Sequence, residues 1–160
     1  MSVITSINNE LLKKMIIVFW TLWWLIAFFT DFFGILAHFS LLKSTFAKDI
    51  NYPSMVEALS IYPLPSWVAP LLFLLLLIGL FVISGMFLFA CLSLHLHKQI
   101  WMQRARYAFV ISLNFWFLFF IADQVLLKFD LEQNHMVQGG FEFLCFLALY
   151  ILPNDNDEEE

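Results

Sequence analysis

The chain reads as an all-α membrane protein, a four-transmembrane-helix bundle capped by a short external loop and helix. Three observations predict this. Four apolar runs lie near or above the length that crosses a hydrocarbon core about 30 Å thick at about 1.5 Å per residue. The composition is 62% hydrophobic and 13% charged, whereas soluble domains are nearer half apolar and a quarter charged. The cations gather in the short segments between the runs, where they orient a membrane protein.

The first run, residues 15–37, follows Lys13 and Lys14. A basic start before an apolar stretch resembles a signal peptide, and Thr45-Phe46-Ala47 faintly resembles a cleavage site. The run is too long for a cleavable apolar region, so an uncleaved first helix is expected. The second run, 67–94, has Ser66 as its expected N-cap and Pro70 in the first turn, where the missing N–H does least harm. The third, 107–127, lies between Arg104 and Arg106 on one side and Lys128 on the other. The fourth, 136–152, is the shortest, contains Glu142 and stops at Pro153. Between the first two runs, residues 54–61 predict a short helix turning Met55, Val56 and Leu59 toward the membrane surface. Tyr52-Pro53 before it and Pro63-Leu64-Pro65 after it are turn signals. Residues 1–153 therefore form one domain, and 154–160 an acidic tail expected to be disordered.

Charge orients the bundle. With the N-terminus inside, the inner segments hold Lys13, Lys14, Lys98, Arg104 and Arg106, against Lys43, Lys48 and Lys128 outside. The cation bias then places both termini in the cytoplasm. Of thirteen acids, five (Asp155, Asp157, Glu158, Glu159, Glu160) lie in the tail, so the remaining eight balance the eight Lys and Arg. A neutral body offers no basic stripe for a phosphate backbone, and nucleic-acid binding is excluded. His95 and His97 sit in a basic inner turn that lipid head groups and topology explain. Cys91 and Cys145 lack metal or redox spacing and are expected to be buried free thiols.

Ionisable groups inside spans cost roughly 2.5–3.5 kcal/mol each on insertion scales, so Asp31, Asp123 and Glu142 need a partner or a cavity. Asp31 is seventeen residues beyond Lys14 and Asp123 seventeen beyond Arg106, placing both about 25 Å outward from the inner boundary. Counting inward from His135, Glu142 is expected near the same level. Helical spacing puts His135, Gln138, Glu142 and Cys145 on one face, and Asp31 with His38 on one face of the first helix. Gly139 and Gly140 beside that stripe would let another backbone approach. The candidate ligand-binding set is Asp31, His38, Asp123, Gln124, His135, Gln138 and Glu142, a polar cluster in the outer half of the bundle.

Several uses of such a cluster stay open. It can fix helix packing by hydrogen bonds among these carboxyls and Gln124, Gln138, Asn114 or the histidines. Carboxyls in low dielectric can also exchange protons, or hold a polar or cationic head group beneath the cap. A di-metal site would draw on the Glu132-x-x-His135 pair, although carboxylate-bridged bundles use that pair on two helices and a Glu on each of two more. A b-type haem would take His38 and His135 as axial ligands. Trp20, Trp23, Trp24 and Trp116 read as lipid contact or packing. No G-x-S-x-G, P-loop, H-E-x-x-H or dinucleotide fingerprint occurs, and no catalytic residue is nominated.

Asp31, Tyr52-Pro53 and Pro65-Ser66-Trp67, with the four-run layout, resemble the ground plan of small four-helix families such as DoxX-like and EXPERA-domain proteins. The resemblance covers layout and about six positions and implies a hydrophobic-ligand pocket or a respiratory-chain accessory role. No functional residue is transferred from it. The expectation is thus a small polytopic protein of the bacterial inner membrane, a non-enzymatic accessory or ligand-binding protein whose partners are the lipid bilayer and other membrane subunits or a small hydrophobic ligand. The competing reading is a metal- or haem-binding subunit of a membrane redox complex.

Overall fold

The computed structural model describes residues 9–42 and 50–153. These form five helices: α1 (Asn9–His38), α2 (Asn51–Leu59), α3 (Val68–Leu92), α4 (Lys98–Val125) and α5 (Phe129–Ile151). The suggested cleavage site, Lys43, Lys48 and the acidic tail lie outside the described residues. Helices α1, α3 and α4 are long and apolar enough to cross a membrane, which marks the chain as an integral membrane protein.

Each helix end departs from the reading of apolar runs for a local reason. The described part of α1 starts at Asn9, and Lys13 continues the buried face of Ile17, Trp20, Thr21 and Trp24. Helix α2 begins at Asn51 and includes Tyr52-Pro53, since a proline in the first turn removes only an N–H that has no intrahelical acceptor. Trp67, not Ser66, is the N-cap of α3, and it makes no side-chain cap bond. Helix α4 starts at Lys98, nine residues before the apolar run, because Trp101 and Ala105 extend the face of Ala108, Phe109, Ser112, Leu113 and Trp116.

Helix α5 is 23 residues long, not the 17 of its apolar part, and carries Asp130 and Glu132 in its first turn, where acids favour the positive end of the helix dipole. The turn before it is tight. Leu127 has φ 56°, its N–H donates to the Gln124 carbonyl at 3.4 Å and the Lys128 N–H to the Asp123 carbonyl at 2.9 Å. A left-handed residue with such paired bonds closes α4 in the manner of a Schellman motif.

Successive long helices run antiparallel. The order is α1, α3, α4, α5, with α5 packed on α4 and meeting α1 lightly. Two hydroxyls lie at the α1–α3 contact: Thr21 Oγ1 is 2.7 Å from the Ile17 carbonyl of its own helix and 3.1 Å from the Phe87 carbonyl of α3, sharing its proton between them, and Ser84 Oγ donates to the Trp24 carbonyl at 2.8 Å. The core is aromatic, built on Trp20, Trp24, Phe87, Trp101, Phe109 and Trp116. Large apolar side chains also face outward, such as Ile26 at 66% and Phe81 at 63% exposure, an inverted pattern that lipid contact explains. Cys91 and Cys145 are free and half-buried rather than buried.

Gly139 is tightly packed. A Cβ there would lie 3.0 Å from both Trp116 and Phe120, while one at Gly140 would meet nothing within 4 Å. The close neighbours are therefore side chains of α4, not another backbone, and only Gly139 is involved.

Helix α2 closes one end. Tyr52 packs edge-on against His38 at 4.9 Å and Phe73 at 5.3 Å between ring centroids. Tyr62, in the segment that follows, donates its hydroxyl to the Val125 carbonyl at 2.6 Å. At the opposite end Lys13, 2% exposed, donates from Nζ to the Leu152 carbonyl at 2.8 Å. The start of α1 and the end of α5 thus lie side by side.

Candidate ligand-binding site

Antiparallel register sorts the polar residues into two levels. Trp24, Ser84, Trp116 and Glu142 share one: Ser84 bonds the Trp24 backbone, the Trp24 and Trp116 rings are 5.5 Å apart, and both indoles reach Glu142. Asp31, Asp123 and His135 each lie seven residues from a member of that layer, about 10 Å nearer the cap. The expectation that Glu142 shares a level with Asp31 and Asp123 is therefore corrected. It treated His135 as the outer boundary, whereas His135 is itself the residue of α5 at the level of the two aspartates.

Glu142 is fully buried. Its Oε2 accepts from Trp116 Nε1 at 2.6 Å, and its Oε1 accepts from Trp24 Nε1 at 3.4 Å and from the Ser112 hydroxyl. Donors from α1 and α4 thus converge on one carboxyl of α5. Such a cradle satisfies a group that the surrounding apolar side chains could not.

Above it, Asp123, 5% exposed, bonds His135 Nδ1 at 2.5 Å. The imidazole stacks on Phe119 at 4.7 Å and 29°. His135 is also among the lining residues of a cavity. Asp31 accepts from Asn51 Nδ2 of the cap helix at 2.5 Å.

That cavity, about 360 Å³, has Asp31, Asn51, His135 and Gln138 among its lining residues, together with Trp23, Trp24, Ile26, Trp116 and Phe119. Its size is within the range of small-molecule sites, about 300–1,000 Å³. Trp23 and Ile26 on its rim are exposed on the outer surface of α1, so it opens sideways where α1 and α5 meet only lightly. Trp24 and Trp116 wall the cavity and donate to Glu142 with their indole N–H groups.

The seven nominated residues therefore separate. Asp31, His135 and Gln138 line the cavity, Asp123 stands behind His135, and Glu142 lies at the indole level. His38 is outside, against Tyr52. Gln124 is exposed and gives Nε2 to both oxygens of Glu132 at 2.7 Å. Helical position explains both outcomes: Gln124 is one residue, about 100° of rotation, from Asp123, and His38 lies two turns beyond Asp31 at the end of α1.

Four functional neighbours were not nominated from sequence. Asn51 lies in a loop by the apolar reading, Ser112 has no motif, and Trp24 and Trp116 look like packing because an indole N–H leaves no periodic signal. Glu132 and His135 turn to different partners, Gln124 and Asp123, so their i, i+3 spacing does not make one site. Among the described residues no three His, Cys, Asp or Glu side chains are grouped to hold a metal. Comparison with protein-family models, with curated proteins and with solved structures finds no match to this chain.

Proposed function

We propose that this protein is a non-enzymatic ligand-binding membrane protein whose cavity between α1 and α5 holds the polar head of a small amphiphile. The observation that carries the reading is one cavity with Asp31, Asn51, His135 and Gln138 above Trp23, Trp24, Trp116 and Phe119. A few convergent polar groups on an apolar lining are the usual composition of a small-molecule site. The lateral opening gives an amphiphile a route from the bilayer without crossing water.

The frame for this site is a four-span bundle in a bacterial inner membrane, both termini cytoplasmic. Helix α5 supports the fourth span: it pairs with Asp123 at one end and with Lys13 at the other, and its 23 residues reach about 34 Å. Its lower hydropathy comes from Asp130, Glu132, Gln133, Asn134, His135, Gln138 and Glu142, of which Glu142 is buried. The Lys13–Leu152 bond supports termini on one side. A fluorescent-protein fusion at the C-terminus should be bright and a phosphatase fusion inactive; the reverse would refute the orientation.

The direct test is a native mass spectrum of the protein extracted gently from its own membrane. A small-molecule adduct that disappears in His135→Ala or Asp31→Asn is expected. A bare protomer, under conditions that keep known membrane complexes intact, would refute the reading.

A further inference from the structure

We infer that the head group held in this cavity is a flat, uncharged ring with oxygen atoms on two of its edges, the chemistry of a membrane quinone or its quinol. The inference rests on the cavity reading above and names the ligand's class. Two observations carry it.

The first is the kind and placing of the hydrogen-bonding groups. Asn51 belongs to the cap helix α2, whereas His135 and Gln138 belong to α5, so the polar lining comes from two sides. Asn51 is held by Asp31, which accepts from its Nδ2 at 2.5 Å, and Gln138 donates to Asn134 at 3.1 Å. An amide keeps both donor and acceptor capacity after one such bond. His135 is fixed twice: its Nδ1 bonds Asp123 at 2.5 Å, and its ring stacks on Phe119 at 4.7 Å between centroids. A ligand bond to this imidazole therefore falls to Nε2, which accepts from a hydroxyl when the ring is neutral and donates to a carbonyl when it is protonated. Groups able to donate or accept suit carbonyl and hydroxyl oxygens alike. A ligand with oxygen on two edges meets both sides at once, whereas a lipid with a single polar end, such as a fatty acid, reaches one.

The second observation is the apolar part of the lining. Trp23, Trp24, Trp116 and Phe119 bring four aromatic residues to one cavity. The indole N–H groups of Trp24 and Trp116 are already given to Glu142, so these two residues offer the cavity ring surface rather than donors. Aromatic rings favour another flat ring in stacked or edge-on contact, beyond the gain from buried area alone. Trp23 and Ile26, exposed at the rim, let an apolar tail stay in the lipid while the ring sits inside.

The test uses the full chain in uncharged detergent, with tritiated decylubiquinone as the probe. Binding should saturate and be displaced by decylplastoquinone. It should resist decylbenzene, which has the tail and a flat ring but no oxygen. His135→Ala should weaken it about 5-fold or more, Asn51→Ala about 3-fold or more, and Asp130→Asn, a surface carboxyl on α5, should leave it unchanged. Asn51→Ala, an exposed position on the cap helix, carries the test where His135→Ala does not fold. Equal displacement by decylbenzene, or unaltered affinity in the folded variants, overturns the quinone assignment. Ile26→Trp, which enlarges a rim residue, separates that failure from failure of the cavity reading, with tritiated palmitate as a second probe. If Ile26→Trp blocks palmitate while decylubiquinone fails to bind, the cavity stands and its quinone class falls. If neither probe binds in a manner sensitive to Ile26→Trp, the cavity reading falls as well.

Discussion

Glu142→Leu tests the carboxyl on which α1, α4 and α5 converge. The substitution keeps a side chain of similar volume and removes the acceptor of three donors: the Trp24 indole, the Trp116 indole at 2.6 Å and the Ser112 hydroxyl. All lie where water does not replace the lost bond. Buried hydrogen bonds contribute about 0.5–1.5 kcal/mol each, and bonds measured within membranes average near the lower figure. Three together give about 2–4 kcal/mol lost in Glu142→Leu. Opposing this is the cost of burying a carboxyl, which an apolar replacement recovers. The donors should win, because Leu relieves the carboxyl but strands two indoles between packed helices, while the Ser112 hydroxyl keeps the Phe109 carbonyl at 3.1 Å. Ser112→Ala, removing one donor, should cost about 1 kcal/mol or less. Reversible unfolding in mixed micelles, followed by tryptophan fluorescence, measures both. Equal or greater stability of Glu142→Leu would refute the reasoning and show that the carboxyl is retained against the interest of packing.

Other substitutions test separate contacts. Gly139→Ala should destabilise by about 1–3 kcal/mol because its methyl meets Trp116 and Phe120 at 3.0 Å, whereas Gly140→Ala should be neutral within about 0.5 kcal/mol; the same unfolding assay compares them. Lys13→Met should free the last turn of α5, seen as faster amide exchange in residues 149–152, with exchange near His135 unchanged. Asp123→Asn and His135→Ala should be non-additive, with a coupling of about 0.5–3 kcal/mol in a double-mutant cycle, because each removes the other's partner.

The fold was legible because lipid demands long apolar segments, and α1, α3 and α4 are written in them. Helix α5 is legible only in part. Five of its first seven residues are polar and the segment is still helical, since Asp130 and Glu132 suit the first turn and His135 has a partner in Asp123. The pairing of Asp31 and Asp123 by depth followed from counting along parallel helices from basic boundaries. Glu142 required the register of an antiparallel helix whose boundary no cation marks, and the count from His135 placed it two turns too near the cap. Asn51 and the indole donors depend on which face each helix presents, and a sequence rich in apolar residues on every face does not encode that by periodicity.

Burial alone does not single out the cavity residues; position on the lining does. Glu142 is the most deeply buried acid, yet it has three donors and does not itself line the cavity, so its chemistry is spent on holding α1, α4 and α5 together. Asp31, His135 and Gln138 are only half-buried and line a cavity that opens toward lipid. Polar groups at membrane depth are costly unless they meet partners or solvent, and packing by itself would be served as well by apolar side chains at those positions. The two tiers should therefore respond oppositely: a conservative change at Glu142 lowers stability and spares binding in the molecules that remain folded, while Asp31→Asn spares stability and lowers binding.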